Sequence, residues 1–186
     1  MIQIIDKLAA LVVLIILSPL FLILILIISI ETGSPFFIQS RMGKNKKKFK
    51  LIKFRTMKIN TKSTATHLVS KDSITKSGVF LRKIKLDKLP QLINILKGHM
   101  SFVGPRPNLS SQKEVIISRE KLNIYNTLPG ITGLSQINKV DMSTPKLLAK
   151  LDREMIDTLT LASYFKYIFL TLLGKGRGDP SSLSKH

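Results

Sequence analysis

LAALVVLIILSPLFLILILIISI, Leu8–Ile30, is a run of 23 residues without a charge. Its only polar side chains are Ser18 and Ser29, and Pro19 sits near its middle. About 20 apolar residues suffice to cross a bilayer. Proline, however, removes one helical hydrogen bond and clashes with the turn before it, so a helix here bends at Ser18-Pro19. Each half is then about 11 residues, or roughly 16 Å at 1.5 Å per residue, too short to cross a core of about 30 Å alone. Two shapes satisfy this: a kinked span, or a re-entrant hairpin with both ends on one face. Proline is common in spanning helices, which tilts the physics slightly toward the span. A signal peptide is disfavoured, because Asp6 and Lys7 make the preceding region nearly neutral and no small-residue cleavage site comes after the run.

The stretch directly after the apolar run is basic. No acid occurs from Thr32 to Lys71, while Arg41, Lys44, Lys46, Lys47, Lys48, Lys50, Lys53, Arg55, Lys58, Lys62 and Lys71 all lie there. A basic block abutting an apolar segment reads as contact with anionic lipid on the cytoplasmic leaflet. Over the whole chain of 186 residues, 30 Lys and Arg against 11 acids give a net charge of +19, which calls for an anionic partner. A solvated basic face and an RNA-binding patch are the competing readings. The adjacency to the apolar run favours membrane, and with 6% aromatics and no Trp a base-stacking platform is disfavoured, so no nucleic-acid partner is expected. The chain has no cysteine, which excludes disulfides and thiolate metal sites.

Downstream, Ser34–Ser40 and Phe49–Met57 alternate around a Gly/Asn/Lys turn and predict a β-hairpin. Asn60–Ser77 is rich in Thr, Ser and Lys and reads as a loop, with His67 solvated in it. Val79–Lys97 carries apolar residues at helical spacing, broken in two at Asp87 and Pro90. Asp87 suits an N-cap, Pro90 a first helical turn and Gly98 a stop. Ser101–Pro107 and Leu128–Leu134 read as Gly/Pro loops, Ser111–Tyr125 as a helix, and Pro145–Leu173 as a long amphipathic helical region. Its end, Ala162–Leu173, suits a core helix or one lying in a membrane interface. The Gly/Ser/Lys tail after Gly174 reads as mobile.

Carboxylates are scarce enough to narrow the chemistry. Between Asp72 and Glu114 the only one is Asp87. Read alone it is a plain helix cap. Arg82 lies five residues earlier, and Arg106 stands between two prolines in Gly104-Pro105-Arg106-Pro107, where a fixed backbone limits the ordering needed to grip a phosphate. A carboxylate among arginines beside a membrane fits a phosphoryl-transfer centre with an aspartyl-phosphate type intermediate.

The blocks SPLFLILILI, RMGKNKKKFKLIKFRTM, LRKIKLDKLPQLINILKGHMSFVGPRP, LPGITGLSQIN and FLTLLGKGRGD stand in an order that resembles the bacterial sugar transferase family. These are small monotopic polyprenyl-phosphate phosphoglycosyl transferases, and the resemblance runs from about Asp6 to Asp179. It implies that Ser18 and Pro19 are the family's helix-breaking pair, so the membrane segment is re-entrant, against the slight physical preference for a span. It implies that Asp87 is the nucleophile on the β-phosphate of a UDP-sugar, expelling UMP before the phospho-sugar passes to polyprenyl (undecaprenyl) phosphate. Magnesium is required in the family, with Asp87 its protein ligand, and Arg82 and Arg106 match basic residues that bind substrate phosphate. Two departures stand out. Lys88 occupies the place of a family Glu, and His99 that of a frequent Asp. Lys88 then contacts diphosphate directly as part of the catalytic pair, or the chain is a catalytically impaired membrane scaffold of the same fold. A lone His99 is more often a surface or packing residue than a metal ligand.

The resulting expectation is an α/β fold, mostly α. It comprises a re-entrant membrane helix (1–31), a catalytic domain (32–174) with a small β-hairpin and amphipathic interfacial helices around one active site, and a mobile tail (175–186). The place is the cytoplasmic face of the bacterial inner membrane, at the first membrane step of surface polysaccharide or glycoconjugate assembly. The partners are a UDP-sugar, polyprenyl phosphate, anionic lipid and downstream glycosyltransferases.

Overall fold

The structure is a computed structural model and describes residues 2–59 and 73–176. His67, Lys71, most of the expected Asn60–Ser77 loop and nearly all of the expected tail therefore lie outside the described residues. The fold is mostly helical with two small sheets of two strands each. The chain sorts into two compact units, one from the described residues of Met1–Gln39 and Leu51–Leu96, the other from those of Ser40–Lys50 and Lys97–Arg177.

In the first unit the apolar run forms two helices, α1 (Ile2–Ile16) and α2 (Ser18–Thr32), bent by 68° at the break. The cause is local. In an unbroken helix the N–H of residue 19 would bond the Ile15 carbonyl, but proline has none. The Ser18 hydroxyl donates to that carbonyl at 2.8 Å instead. The helices are longer than the halves read from the sequence, 15 residues each, because both run past the uncharged stretch. At about 22 Å each is still short of a bilayer core.

One face of α1 packs on α4 (Gln91–Leu96), burying Ala10, Leu92 and Ile95. The rest of α1 and most of α2 present apolar side chains outward, among them Leu8, Ile15, Leu22, Leu26 and Ile30. Phe21 of α2 meets Phe36 and Phe54, with ring centroids 5.1–6.2 Å apart across the trio. The last two come from the predicted hairpin, β1 (Phe36–Met42) and β2 (Lys48–Phe54). Helix α3 (Lys76–Ile84) starts inside the segment read as loop. Thr75 caps it by accepting the Gly78 N–H at 3.0 Å, and Glu31, at the end of α2, accepts the Lys76 N–H at 2.9 Å.

In the second unit, β3 (Ser101–Val103) and β4 (Gly130–Thr132) pair in parallel, Ser101 opposite Gly130 and Val103 opposite Thr132. Both segments read as loops in the sequence, since three residues are too few to display an alternating pattern. Gly104 and Gly130 make the pairing feasible, because a Cβ on Gly130 would lie 2.1 Å from the Gly104 nitrogen. On this ribbon packs α8 (Leu161–Leu172); α6 (Leu134–Ile137) packs on α8 and on α7 (Pro145–Asp157), and α5 (Lys113–Lys121) packs on α7. The long helical region therefore splits in two. At the split Thr160 accepts the Ser163 N–H at 3.1 Å and the Ser163 hydroxyl accepts the Thr160 N–H at 2.8 Å, a reciprocal capping box. Tyr164 and Tyr167 of α8 are buried, while Leu161, Phe165, Phe169 and Leu172 form an exposed apolar stripe.

Candidate active site

Asp87 lies in the first unit, in a single 3-10 turn (Leu86–Lys88) between α3 and α4. It is not the N-cap expected from the sequence. Helix α4 starts only at Gln91, because Leu89 and Pro90 form a turn first. The chain enters the 3-10 turn through Lys85 at φ 63°, a left-handed conformation that ends α3 without a glycine. Neither a turn of this length nor the six-residue α4 supplies much of a helix dipole. The turn supplies display instead: Asp87 is half-buried, and among the described residues no hydrogen bond or ion pair holds its carboxylate. Lys88 is the next residue of the turn and is also half-buried.

Arg82 is one turn back on α3, which touches the 3-10 turn. Its Nε donates to the Thr56 hydroxyl at 2.9 Å. This anchor depends on Gly78, one helical turn earlier, where an added Cβ would lie 2.4 Å from the Thr56 carbonyl oxygen. Arg82, Asp87 and Lys88 thus share one rigidly entered corner of the first unit, and Arg106 belongs to the second.

Around Arg106, three consecutive carbonyls are individually held. The Arg119 Nη1 donates to the Arg106 carbonyl at 2.8 Å, Arg41 Nη1 to that of Pro107 at 3.2 Å, and the Met42 N–H to that of Asn108 at 2.9 Å. Arg119 is itself locked. Its Nε and Nη2 donate to Asp152 Oδ2 at 3.0 and 2.7 Å, and its Nη1 also reaches Asn108 Oδ1 at 3.1 Å. The Ser135 hydroxyl donates to Asp152 Oδ1 at 2.9 Å, and the Tyr125 hydroxyl to Asn108 Oδ1 at 2.9 Å. The ion-paired side chains are 2% and 0% exposed, so removing either partner would strand a charge at a cost of about 3–5 kcal/mol. Burial pushes the Asp152 carboxyl up, opposed by Arg119 and the Ser135 hydrogen bond. Burial, and then the positive charge of Arg106, bring the Arg41 pKa down to about 10. Arg119, Asp152 and Asn108 escaped the sequence reading. The available signal was a charged residue in register with apolar ones: Arg119 four after Val115, and Asp152 in line with Leu148, Ala149 and Met155. His99 is exposed and sets its ring beside Phe49, 5.8 Å between centroids, as the packing reading had it.

The fold is mostly helical, with a bent apolar helix pair at the start of the chain and Asp87 on a turn that touches the helix carrying Arg82. The chain belongs to the bacterial sugar transferase family, whose profile matches residues 1–175. It is 36% identical over 168 residues to the uncharacterized sugar transferase EpsL of Bacillus subtilis, covering 90% of this chain and 83% of that protein. It is likewise 36% identical to the exopolysaccharide production protein ExoY of Rhizobium meliloti, over 90% of this chain and 81% of that one. The UDP-glucose:undecaprenyl-phosphate glucose-1-phosphate transferase of Escherichia coli is 35% identical over 90% of this chain, which spans only 38% of that longer protein.

Proposed function

We propose that this chain transfers a sugar-1-phosphate from a UDP-sugar to polyprenyl phosphate, at the cytoplasmic face of a bacterial inner membrane. The observation that carries the reading is Asp87: the only carboxylate between Asp72 and Glu114, displayed on a turn with no partner among the described residues. The Escherichia coli relative, named for this reaction with glucose, supports the donor and acceptor classes. The bent pair α1–α2 supports a re-entrant attachment, with the exposed stripe of α8 lying in the interface.

In the first step an Asp87 carboxylate oxygen attacks the β-phosphorus. A new P–O bond forms to Asp87, the bond to the bridging oxygen breaks, and UMP leaves with that oxygen. In the second step a phosphate oxygen of the polyprenyl phosphate attacks the same phosphorus and returns Asp87 to a free carboxylate. Anionic nucleophile and diphosphate repel, so the reaction needs preorganised positive charge. Arg82, held by Thr56, supplies part of it and Lys88 another part. Among the described residues no three His, Asp or Glu side chains converge on a metal. The residues fit magnesium held by Asp87 together with substrate phosphates and water, and the cation would neutralise diphosphate charge.

The test is UMP release from a panel of UDP-sugars with undecaprenyl phosphate and magnesium. Asp87→Asn retains shape and is expected to abolish UMP release and any phospho-sugar adduct on the protein. Full activity in that variant would remove the nucleophile. Silence of the parent with every donor, with activity appearing in Lys88→Glu, would establish the impaired scaffold instead.

A further inference from the structure

Glu31 is the last residue but one of α2, where a carboxylate is misplaced for its own helix: the carbonyl end of a helix dipole repels negative charge. Its oxygens are turned to another element instead. Oε1 accepts the Lys76 N–H at 2.9 Å and the Ser77 N–H at 3.4 Å, and Oε2 accepts the Ser77 hydroxyl. These two residues open α3. The N–H groups at a helix start lack partners in the helix ladder, and here the neighbouring ones are met as well. The Thr75 N–H donates to the Thr56 carbonyl at 3.1 Å, and the Gly78 N–H to the Thr75 hydroxyl at 3.0 Å. The start of α3 is therefore tied in two places, to Thr56 after the hairpin and to Glu31 on the apolar pair. The same pair holds the other flank of the site, since α1 packs on α4. The turn bearing Asp87 is thus strung between α3, fastened to the end of α2, and α4, seated on α1. All of these residues belong to the first unit.

We propose that Glu31 is a positioning residue: it sets the place of α3, and through it the Asp87 turn, relative to the bent pair, and so governs the second transfer step. This rests on the transferase reading, in which the pair lies in the bilayer and the acceptor arrives from there. The donor side has its own anchor, because the Thr56 hydroxyl holds Arg82 directly. An exposed contact contributes little to stability, so loss of the Glu31 carboxylate leaves α3 capped by Thr75 and frees it to shift against α2. In a mechanism that passes through a covalent intermediate, kcat/KM for the donor reports the first transfer and kcat/KM for the acceptor the second. A shift of the turn is read in the acceptor value alone, whereas plain loss of folded protein lowers both by one factor.

The experiment compares the full chain with Glu31→Ala, Glu31→Gln and Ser77→Ala in neutral phosphatidylcholine nanodiscs, using undecaprenyl phosphate and the best donor of the UDP-sugar panel. Glu31→Ala is expected to lower kcat/KM for undecaprenyl phosphate by about tenfold and to leave that for the donor within about twofold. Glu31→Gln keeps the length and one acceptor oxygen and should recover part of the loss. Ser77→Ala is expected to lower the acceptor value in the parent and to add nothing to Glu31→Ala, as befits two ends of one contact. A separate arm reads position without turnover. The chain has no cysteine, so spin labels can be attached at Leu22→Cys on α2 and Lys83→Cys on α3, both exposed positions. Glu31→Ala should broaden the distribution of distances between them. An unchanged distribution overturns the tie. A broadened one with an unchanged acceptor value, or with an equal fall in both values, overturns the role in transfer. If Glu31→Ala does not fold, parent-like distances and rates in Glu31→Gln overturn the proposal. A parent that turns over no UDP-sugar removes the transferase reading, and the distances alone then decide whether Glu31 sets the place of α3.

Discussion

Gly78 carries more of the candidate site than its lack of a side chain suggests. It lets α3 approach the Thr56 backbone closely enough for Arg82, one turn on, to reach the Thr56 hydroxyl. A methyl group there must displace backbone, since the nearest atom is a carbonyl oxygen at 2.4 Å. Gly78→Ala is expected to destabilise the protein by about 1–3 kcal/mol despite alanine's better helix propensity. It should also lower UMP release more than Thr56→Ser, which keeps the hydroxyl. Thermal unfolding and initial rates on the two variants check this; equal rates in both would detach Arg82's anchor from function. None of it was legible beforehand. A glycine inside a helical pattern signals close approach, but the chain does not say to what. Asp87 stands out as a candidate for a different reason: scarcity of acids over a long stretch singles it out without any knowledge of the fold.

Among the elements, those with sustained periodicity were readable and the short ones were not. The apolar pair, the hairpin and the amphipathic helices each repeat a pattern over many residues, so their existence follows from sequence. The parallel pairing of β3 with β4 joins segments about thirty residues apart and leaves no local trace. The same holds for Arg119 and Asp152, which lie 33 positions apart. The break between α1 and α2 was legible because proline acts locally. It also yields a topology test. With the bend in place, cysteines introduced singly at Gln3 and at Gly43 are expected to be protected from an impermeant thiol reagent in intact cells. Pro19→Leu restores the missing hydrogen bond to Ile15 and should shift a fraction of the population to a span. Labelling at position 3 without the substitution would establish a kinked span in its place.

For the molecule as a whole, a net charge of +19 coexists with broad outward-facing apolar surfaces on α1, α2 and α8. The hairpin turn concentrates that charge, with Lys44, Lys46, Lys47 and Lys48 all exposed. Lys46 already pairs with Glu120 at 2.7 Å, an exposed contact of little energetic weight that still diverts its charge. The residues to change are therefore Lys44, Lys47 and Lys48. Replacing all three with Gln is expected to weaken partition of the full chain from micelles into anionic liposomes by on the order of 1 kcal/mol per charge at low salt. Partition into neutral liposomes should be unaffected, and equal partition of the parent into both would refute the role. The buried Arg119–Asp152 pair bears on assembly in time. As the chain is synthesised, Arg119 emerges well before Asp152, so the segment carrying Arg106 has no anchored scaffold until α7 has formed. That segment is then ordered late, and a nascent chain halted before α7 would hold Arg119 with no buried acid to meet it.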